Sequence, residues 1–247
     1  MTHTIELTDT TATKHYTSWS RGEPTREWTA LTLLSQATPD LTPTPLASSH
    51  DHTPWLQMTR TSGHPLSAPL TPTQLTALGN ALEALWSAPA DLLDPIGLTA
   101  LVERTRTGLT TLTASEGVIA QAATAWLDNQ PPDLTDLPDP VVAHGDPNLT
   151  NYLWDGSRIR IIDFEDSGRG DRTVELANLV EHLSWRTTDP TPLVRRFAPD
   201  LRRFNAARLL WSGFWLMLIA PGGPSADRNP RGTAEAQARR VLRLAAE

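Results

Sequence analysis

Val142-Ala143-His144-Gly145-Asp146-Pro147-Asn148-Leu149-Thr150-Asn151, then Tyr152-Leu153-Trp154-Asp155-Gly156, then Ile159 to Ile162 and Asp163-Phe164-Glu165, is the stretch that decides how this chain is read. Pro140 to Ala143 is a short apolar run that predicts a strand, and it delivers His144 and Asp146 into a tight loop. Asp155-Gly156 between two apolar runs is the strongest short-range signal for a β-hairpin. A hairpin folds the chain back on itself. Asn151 at its entry and Asp163 at its exit should therefore lie close together, and with Asp146 they gather three oxygen-bearing side chains at one sheet end. Two carboxylates and an amide carbonyl suit a hard cation such as Mg²⁺, which takes oxygen ligands and keeps waters for substrate phosphates. With Asn151 and Asp163 on the metal, Asp146 is left to accept a proton from an incoming hydroxyl.

Working outward, residues before 20 read as two short strands around a Thr8-Asp9-Thr10 turn, the second running from Ala12 to Tyr16. Pro24 suits a first helical turn, and Trp28, Leu31 and Leu34 recur at helical spacing, which predicts a helix over 24–36. Thr38 to Pro54, rich in proline and polar residues, reads as a loop, and Trp55 to Met58 as a strand. Thr59 to Pro65 then connects a small N-terminal part to the rest. Beyond it the periodicity is mostly helical. Thr71 is an N-cap with Pro72 behind it, and Leu75, Leu78, Leu82 and Leu85 form one stripe. Further helices are expected over 98–109, 115–128, 172–185, 200–220 and 233–245.

His-Gly-Asp, an Asn five residues on, and Ile-Asp-Phe-Glu after a hairpin together resemble the catalytic segment of aminoglycoside phosphotransferases and choline kinases. Protein kinases carry the related Asp-x-x-x-x-Asn spacing and a later Mg²⁺-binding Asp. The resemblance implies an α+β, protein-kinase-like two-lobe fold, with Asp146 as catalytic base and Asn151 and Asp163 as metal ligands. Glu165 and Asp166 stand near enough to assist. It also implies a strand lysine on the nucleotide phosphates, held by a helix glutamate. Lys14 fits the first role, being the only lysine among 21 Lys plus Arg, and Glu27 fits the second, with Glu23 as competitor. Trp55 to Gly63 resembles the inter-lobe connector whose backbone reads adenine, which makes Met58, Thr59 and Thr61 cofactor-binding candidates. Gly170-Asp171 and Glu175-Leu176-Ala177 resemble elements that brace the catalytic loop, with Glu175 where the family usually has Asp. One departure stands out. No glycine precedes Gly22, so the phosphate-covering turn usual in the family is short or missing.

Composition narrows the partners. A net charge of -7 disfavours phosphate backbones and anionic membrane surfaces, and leans toward a cationic acceptor. The absence of cysteine removes thiolate chemistry and zinc-thiolate sites. The opening Met-Thr-His-Thr-Ile-Glu lacks a signal-like layout, and the apolar run 209–220 is about 12 residues against the roughly 20 that a spanning helix needs. A cytoplasmic protein without nucleic-acid or membrane partners is expected.

The expectation is thus an ATP- and Mg-dependent phosphotransferase acting on a hydroxyl of a small molecule. Residues 1–60 would form a trimmed nucleotide-binding lobe, and 61–247 a helical lobe with the catalytic hairpin and acceptor site. The alternative is a nucleotide-binding pseudokinase or scaffold without turnover. A metal-dependent hydrolase built on Asp139, His144 and Asp146 is a third reading, which leaves Lys14 and the Asn151/Asp163 pair without a purpose. His50-Asp51-His52 reads as solvated rather than metal-binding, and Trp211, Phe214 and Trp215 as core. The acidic run Asp128, Asp133, Asp136 and Asp139 is read as a solvated loop, with attraction of a cationic substrate as its other reading.

Overall fold

The computed structural model describes residues 3–49 and 51–247. His50 of the His-Asp-His candidate lies outside the described residues. The chain forms two compact units: Met1–Ile96 with Asp139–Arg172 and Thr187–Arg196, and Gly97–Pro138 with Thr173–Arg186 and Phe197–Glu247.

In the first unit β1 (Thr4–Leu7), β2 (Thr11–His15), β3 (Pro45–Ser49) and β4 (Trp55–Thr59) make an antiparallel sheet in the order β1-β2-β4-β3. Thr8 closes the first turn by accepting the Thr11 N–H through Oγ1 at 2.9 Å. Lys14 pairs with Leu56 and Ala12 with Met58, so all four share one face of the sheet. Helix α1 (Glu23–Ala37) carries Pro24 in its first turn and packs Ala30, Leu31 and Leu34, all fully buried, toward β3 and β4. β3 is a correction, because Thr38 to Pro54 was expected to be all loop. An edge strand tolerates Pro at its first residue, since the missing N–H faces no partner, and it tolerates polar side chains. Pro45, Ser48 and Ser49 therefore look loop-like in sequence while pairing with β4.

The same unit holds β5 (His64–Pro65), β6 (Pro140–Ala143), the hairpin β7 (Tyr152–Trp154) and β8 (Ile159–Ile161), and β9 (Gly168–Asp171). β5, β7 and β8 form one small sheet, and β6 pairs with β9. Asp155 organises the hairpin turn by accepting the Ser157 and Arg158 N–H groups at 2.9 Å each. Helix α2 (Pro72–Ser87) starts with a full capping box between Thr71 and Gln74 and lays its leucine stripe against β6 and β8.

The second unit is helical: α3 (Leu98–Leu112), α4 (Gly117–Asp128), most of α5 (Arg172–Glu181), α7 (Leu201–Ile219) and α8 (Thr233–Ala245). A short α6 (Thr191–Phe197), absent from the sequence reading, belongs to the first unit except for its last residue. Trp126 is fully buried and donates from Nε1 to the Leu209 carbonyl at 2.9 Å. Gly213 makes this packing possible, since a Cβ there would lie 2.4 Å from Trp126 Nε1. Trp211 and Phe214 are buried, as expected for core. Among the described residues no helix is long and apolar enough to cross a membrane.

α5 ends at Glu181 rather than continuing to Trp185, because His182 adopts an extended backbone and caps the following turn, its Nδ1 accepting the Ser184 N–H at 3.1 Å. Burial and the Arg186 charge hold the His182 pKa down at about 3, from an ordinary 6.5. The unfolded chain then binds a proton below pH 6.5 that the folded one refuses. This contribution to stability is complete above pH 6.5 and is lost as pH falls toward 3. Denaturant unfolding at pH 7 and pH 5 should show wild type losing about 2 kcal/mol more than His182→Asn over that interval. Equal losses would remove His182 as the cause.

Candidate active site

Lys14 is nearly enclosed, its side chain 5% exposed, and its ammonium meets three carboxylates. Glu27 Oε2 accepts from Nζ at 2.7 Å, Glu165 Oε2 lies at 2.7 Å, and Asp163 Oδ1 makes a short contact. Burial opposes the Lys14 charge, but Glu27, Asp163 and Glu165 outweigh it and hold the pKa above the ordinary lysine value. Glu27 is 1% exposed. It also accepts from the Tyr16 hydroxyl at 2.6 Å and, through Oε1, from the Phe164 N–H at 3.2 Å. Glu23 faces elsewhere, binding the Arg21 N–H and guanidinium at 2.8 and 3.0 Å. Of the two candidate glutamates, α1 brings Glu27 to Lys14.

The hairpin acts as its sequence suggests. Ile162 N–H donates to the Asn151 carbonyl at 2.9 Å, closing entry against exit. Asn151 Nδ2 donates to the Asp146 carbonyl at 3.1 Å and to Asp146 Oδ2 at 3.2 Å. A planar amide anchored through its nitrogen turns Oδ1 to the opposite side. Asp146 also receives the Asn148 N–H at 3.3 Å. Burial pushes the Asp146 carboxyl above the ordinary aspartate range. His144 is fully buried and pins the loop to the hairpin: Nδ1 accepts from the Asp146 N–H at 3.3 Å and Nε2 meets the Ile162 carbonyl at 2.8 Å. Gly145 sits at φ 83°, and a Cβ there would lie 2.1 Å from the Asp166 carbonyl oxygen, so the two segments touch through backbone alone. Asp163 itself holds φ 70°, a left-handed geometry that aspartate tolerates and that aims its side chain off the strand direction.

The donor set fits a hard divalent cation. Oxygens of Glu27, Asp163 and Glu165 lie within 4.8 Å of one another, and their three negative charges face one ammonium. Glu27 is buried with both oxygens engaged, whereas the Asp163 side chain, held by Lys14 through Oδ1, is 36% exposed.

The other candidates fall into place as follows. Met58 is buried on the Lys14 face of the sheet. Thr59 ends β4 with Oγ1 accepting the Thr44 N–H at 2.8 Å, and Thr61 follows in the segment before β5. Asp171 ends β9, buried and opposite Pro140, while Glu175 is buried in α5. Asp166 binds Arg21 Nη1 at 2.7 Å. Asp139 and His144 stand at opposite ends of β6, roughly 16 Å apart for five strand steps, so the hydrolase triad is not brought together. Within the acidic run, Asp136 pairs with Arg203 at 2.8 Å and Asp139 with Arg172. Sequence reasoning missed Tyr16 and His3. Tyr16 carried a signal, since it lies two residues past Lys14, just beyond the end of β2, where the strand period would keep it on the same side.

Residues 9–211 match the phosphotransferase enzyme family (APH). The chain belongs to that family. No curated protein matches it. Among solved structures, it is similar to a choline/ethanolamine kinase family protein from Mesorhizobium loti, at 17% identity over 100% of this chain and 85% of that one, with a TM-score of 0.67. It is also similar to choline kinase LicA from Streptococcus pneumoniae, at 14% identity over 99% and 90%, with a TM-score of 0.70. Aminoglycoside 2'-phosphotransferase-IIIa, solved as a GDP complex, follows at 12% identity over 100% and 90%, with a TM-score of 0.68. At such identities these likenesses speak for the fold, which is α+β and protein-kinase-like. The family match spans β2, α1, the 144–151 loop and the hairpin, the segments that supply Lys14, Glu27, Asp146, Asn151 and Asp163.

Proposed function

We propose that this member of the phosphotransferase family transfers the γ-phosphoryl group of ATP to a hydroxyl of a small molecule in a Mg²⁺-dependent reaction. The observation that carries the reading is the continuous set of contacts Glu27–Lys14–Asp163, with Asp146 tied to Asn151 at the entry of the hairpin whose exit leads to Asp163. Lys14 would bind the nucleotide phosphates, and Asn151 and Asp163 would hold the metal. A bound Mg²⁺ supplies charge neutralisation on the phosphate oxygens. Asp146 orients the acceptor hydroxyl and takes its proton as the oxygen bonds to the γ-phosphorus. The bond from that phosphorus to the β–γ bridging oxygen breaks, and ADP leaves with the electron pair. Phosphoryl transfer asks for little covalent chemistry from the protein, so placement and electrostatics supply most of the acceleration.

On this reading residues 1–60 serve the nucleotide, with Met58, Thr59 and Thr61 along the adenine end, and 61–247 serve the acceptor. Asp171 would brace the catalytic loop. The acidic balance and the names of the similar structures favour an amine-bearing acceptor, an aminoglycoside-like or amino-alcohol-like compound, in the cytoplasm where ATP and Mg²⁺ are at hand. The test is a thermal-shift titration with ATP, with and without Mg²⁺, on wild type and Asp163→Ala. At 100 times its dissociation constant a ligand adds about 2.7 kcal/mol of stability. A Mg²⁺-dependent rise that vanishes in Asp163→Ala is expected. No shift at millimolar ATP would sink the reading, and binding without turnover on any hydroxyl acceptor would leave a nucleotide-binding module.

A further inference from the structure

Consecutive residues of α1 grip the backbone that follows Asp163. Glu27 Oε1 accepts the Phe164 N–H at 3.2 Å, and Arg26 Nη1 donates to the Glu165 carbonyl at 3.0 Å. The Glu165 carboxylate meanwhile lies against Lys14 and His3. Arg26 Nη2 donates to the Arg21 carbonyl at 2.9 Å, which ties the same guanidinium to the chain entering α1. Arg21 adds a second link. Its Nε and N–H are held by the buried Glu23 carboxylate at 3.0 and 2.8 Å, and its Nη1 donates to Asp166 Oδ1 at 2.7 Å. The start of α1 thus converges on residues 165–166. The same segment abuts Gly145, the residue before Asp146, where a Cβ would lie 2.1 Å from the Asp166 carbonyl oxygen.

We propose that Arg26 is a positioning residue, whose two-pronged grip fixes the backbone behind Asp163 and so holds the Asp163 carboxylate where a cation binds. Asp163 stands at φ 70°, a left-handed conformation that a residue with a Cβ keeps only where its surroundings hold it. The Phe164 N–H bond to Glu27 is one restraint, and the Arg26 bond to the next carbonyl is the second. Arg21 is 56% exposed, so water and salt weaken its pair with Asp166. Arg26 is half-buried and bonded to two carbonyls. A guanidinium suits this task because its planar fork offers both donors at once, where an ammonium is a single point. The grip stands on geometry alone, and its effect on the metal rests on the function proposed above.

Arg26→Lys keeps the positive charge and loses the fork, which makes it the variant to test. The amides to follow are those of Phe164, bonded to Glu27, and of Ser167, bonded to the Phe164 carbonyl at 3.1 Å. Their hydrogen exchange should speed about tenfold, the effect of losing one hydrogen bond to a charged group, while Leu31 to Leu34 and Ile161 keep wild-type rates. In turnover assays the Mg²⁺ concentration for half-maximal rate should rise about tenfold, with kcat at saturating Mg²⁺ less affected. Unchanged exchange at 164–167 would overturn the proposal. Faster exchange throughout the first unit would overturn it too, since plain destabilisation gives that result. So would an active enzyme with a loosened 164–167 segment and a wild-type Mg²⁺ requirement. Faster exchange confined to 164–167 in a protein without ATP turnover would uphold the grip and defeat the phosphotransfer reading.

Discussion

Asp146→Asn should lower kcat by about 10²–10⁴-fold, the usual worth of a positioned general base, while the Mg²⁺-ATP thermal shift stays near that of wild type. The substitution keeps the size of the side chain and one of its two accepting oxygens: Oδ1 can still receive the Asn148 N–H, and the Asn151 amide, losing Oδ2, keeps its bond to the residue 146 carbonyl, so the loop should hold its shape. What it removes, on the proposed function, is the charge that would accept the hydroxyl proton. Burial raises the Asp146 pKa, which makes the carboxylate a better proton acceptor than an exposed aspartate. Steady-state kinetics with any accepted hydroxyl compound, beside the ATP titration, separates the outcomes. Loss of ATP binding along with turnover would make Asp146 a structural or ligand-holding group and remove it as base.

Glu181→Ala should be the most damaging single change to stability, about 3–5 kcal/mol. Glu181 is fully buried at the end of α5, and Arg208 Nε and Arg240 Nη2 donate to its Oε1 at 2.8 and 2.7 Å. Arg240 Nε also contacts Oε2, and Arg186 Nη1 lies 3.6 Å from the same oxygen. Removing the carboxylate leaves three guanidiniums facing one another. Their side chains are 18–29% exposed, so water relieves part of the repulsion and the lower half of the range is the better estimate. Urea unfolding measures it, with Glu247→Ala as comparison. Glu247 touches Arg208 at 3.4 Å from an exposed position and should cost at most about 0.5 kcal/mol. Equal effects at the two glutamates would show that the arginine cluster does not depend on Glu181.

The hairpin, the lysine strand and the N-cap of α2 were legible because each depends on local chemistry. Asp155-Gly156 sets a turn, Thr71 caps a helix that opens with Pro72, and Leu75, Leu78, Leu82 and Leu85 keep helical period. β3 was hidden because an edge strand draws its residues from the same pool as a loop. α5 was overread because only the backbone of His182 ends it. The site was legible where its residues lie inside one segment, as with Asp146, Asn151 and Asp163. Its long-range contacts were not. Nothing in the local sequence around His3, Arg21 or Glu181 names the residue far along the chain with which each pairs, since that is settled by how segments pack.

The three bonds to one carboxylate in Glu27 make helix position and metal-end geometry a single variable. Lys14, Tyr16 and the Phe164 backbone all report to α1 through that group, and Phe164 adjoins Asp163. A rotation or slide of α1 should therefore displace the lysine and the aspartate together. If the proposed function holds, affinity for nucleotide and affinity for cation would then rise and fall in step, and by linkage each ligand should strengthen the other by the same factor. In this chain an effector that grips only the outer surface of α1 would act as a throttle on both.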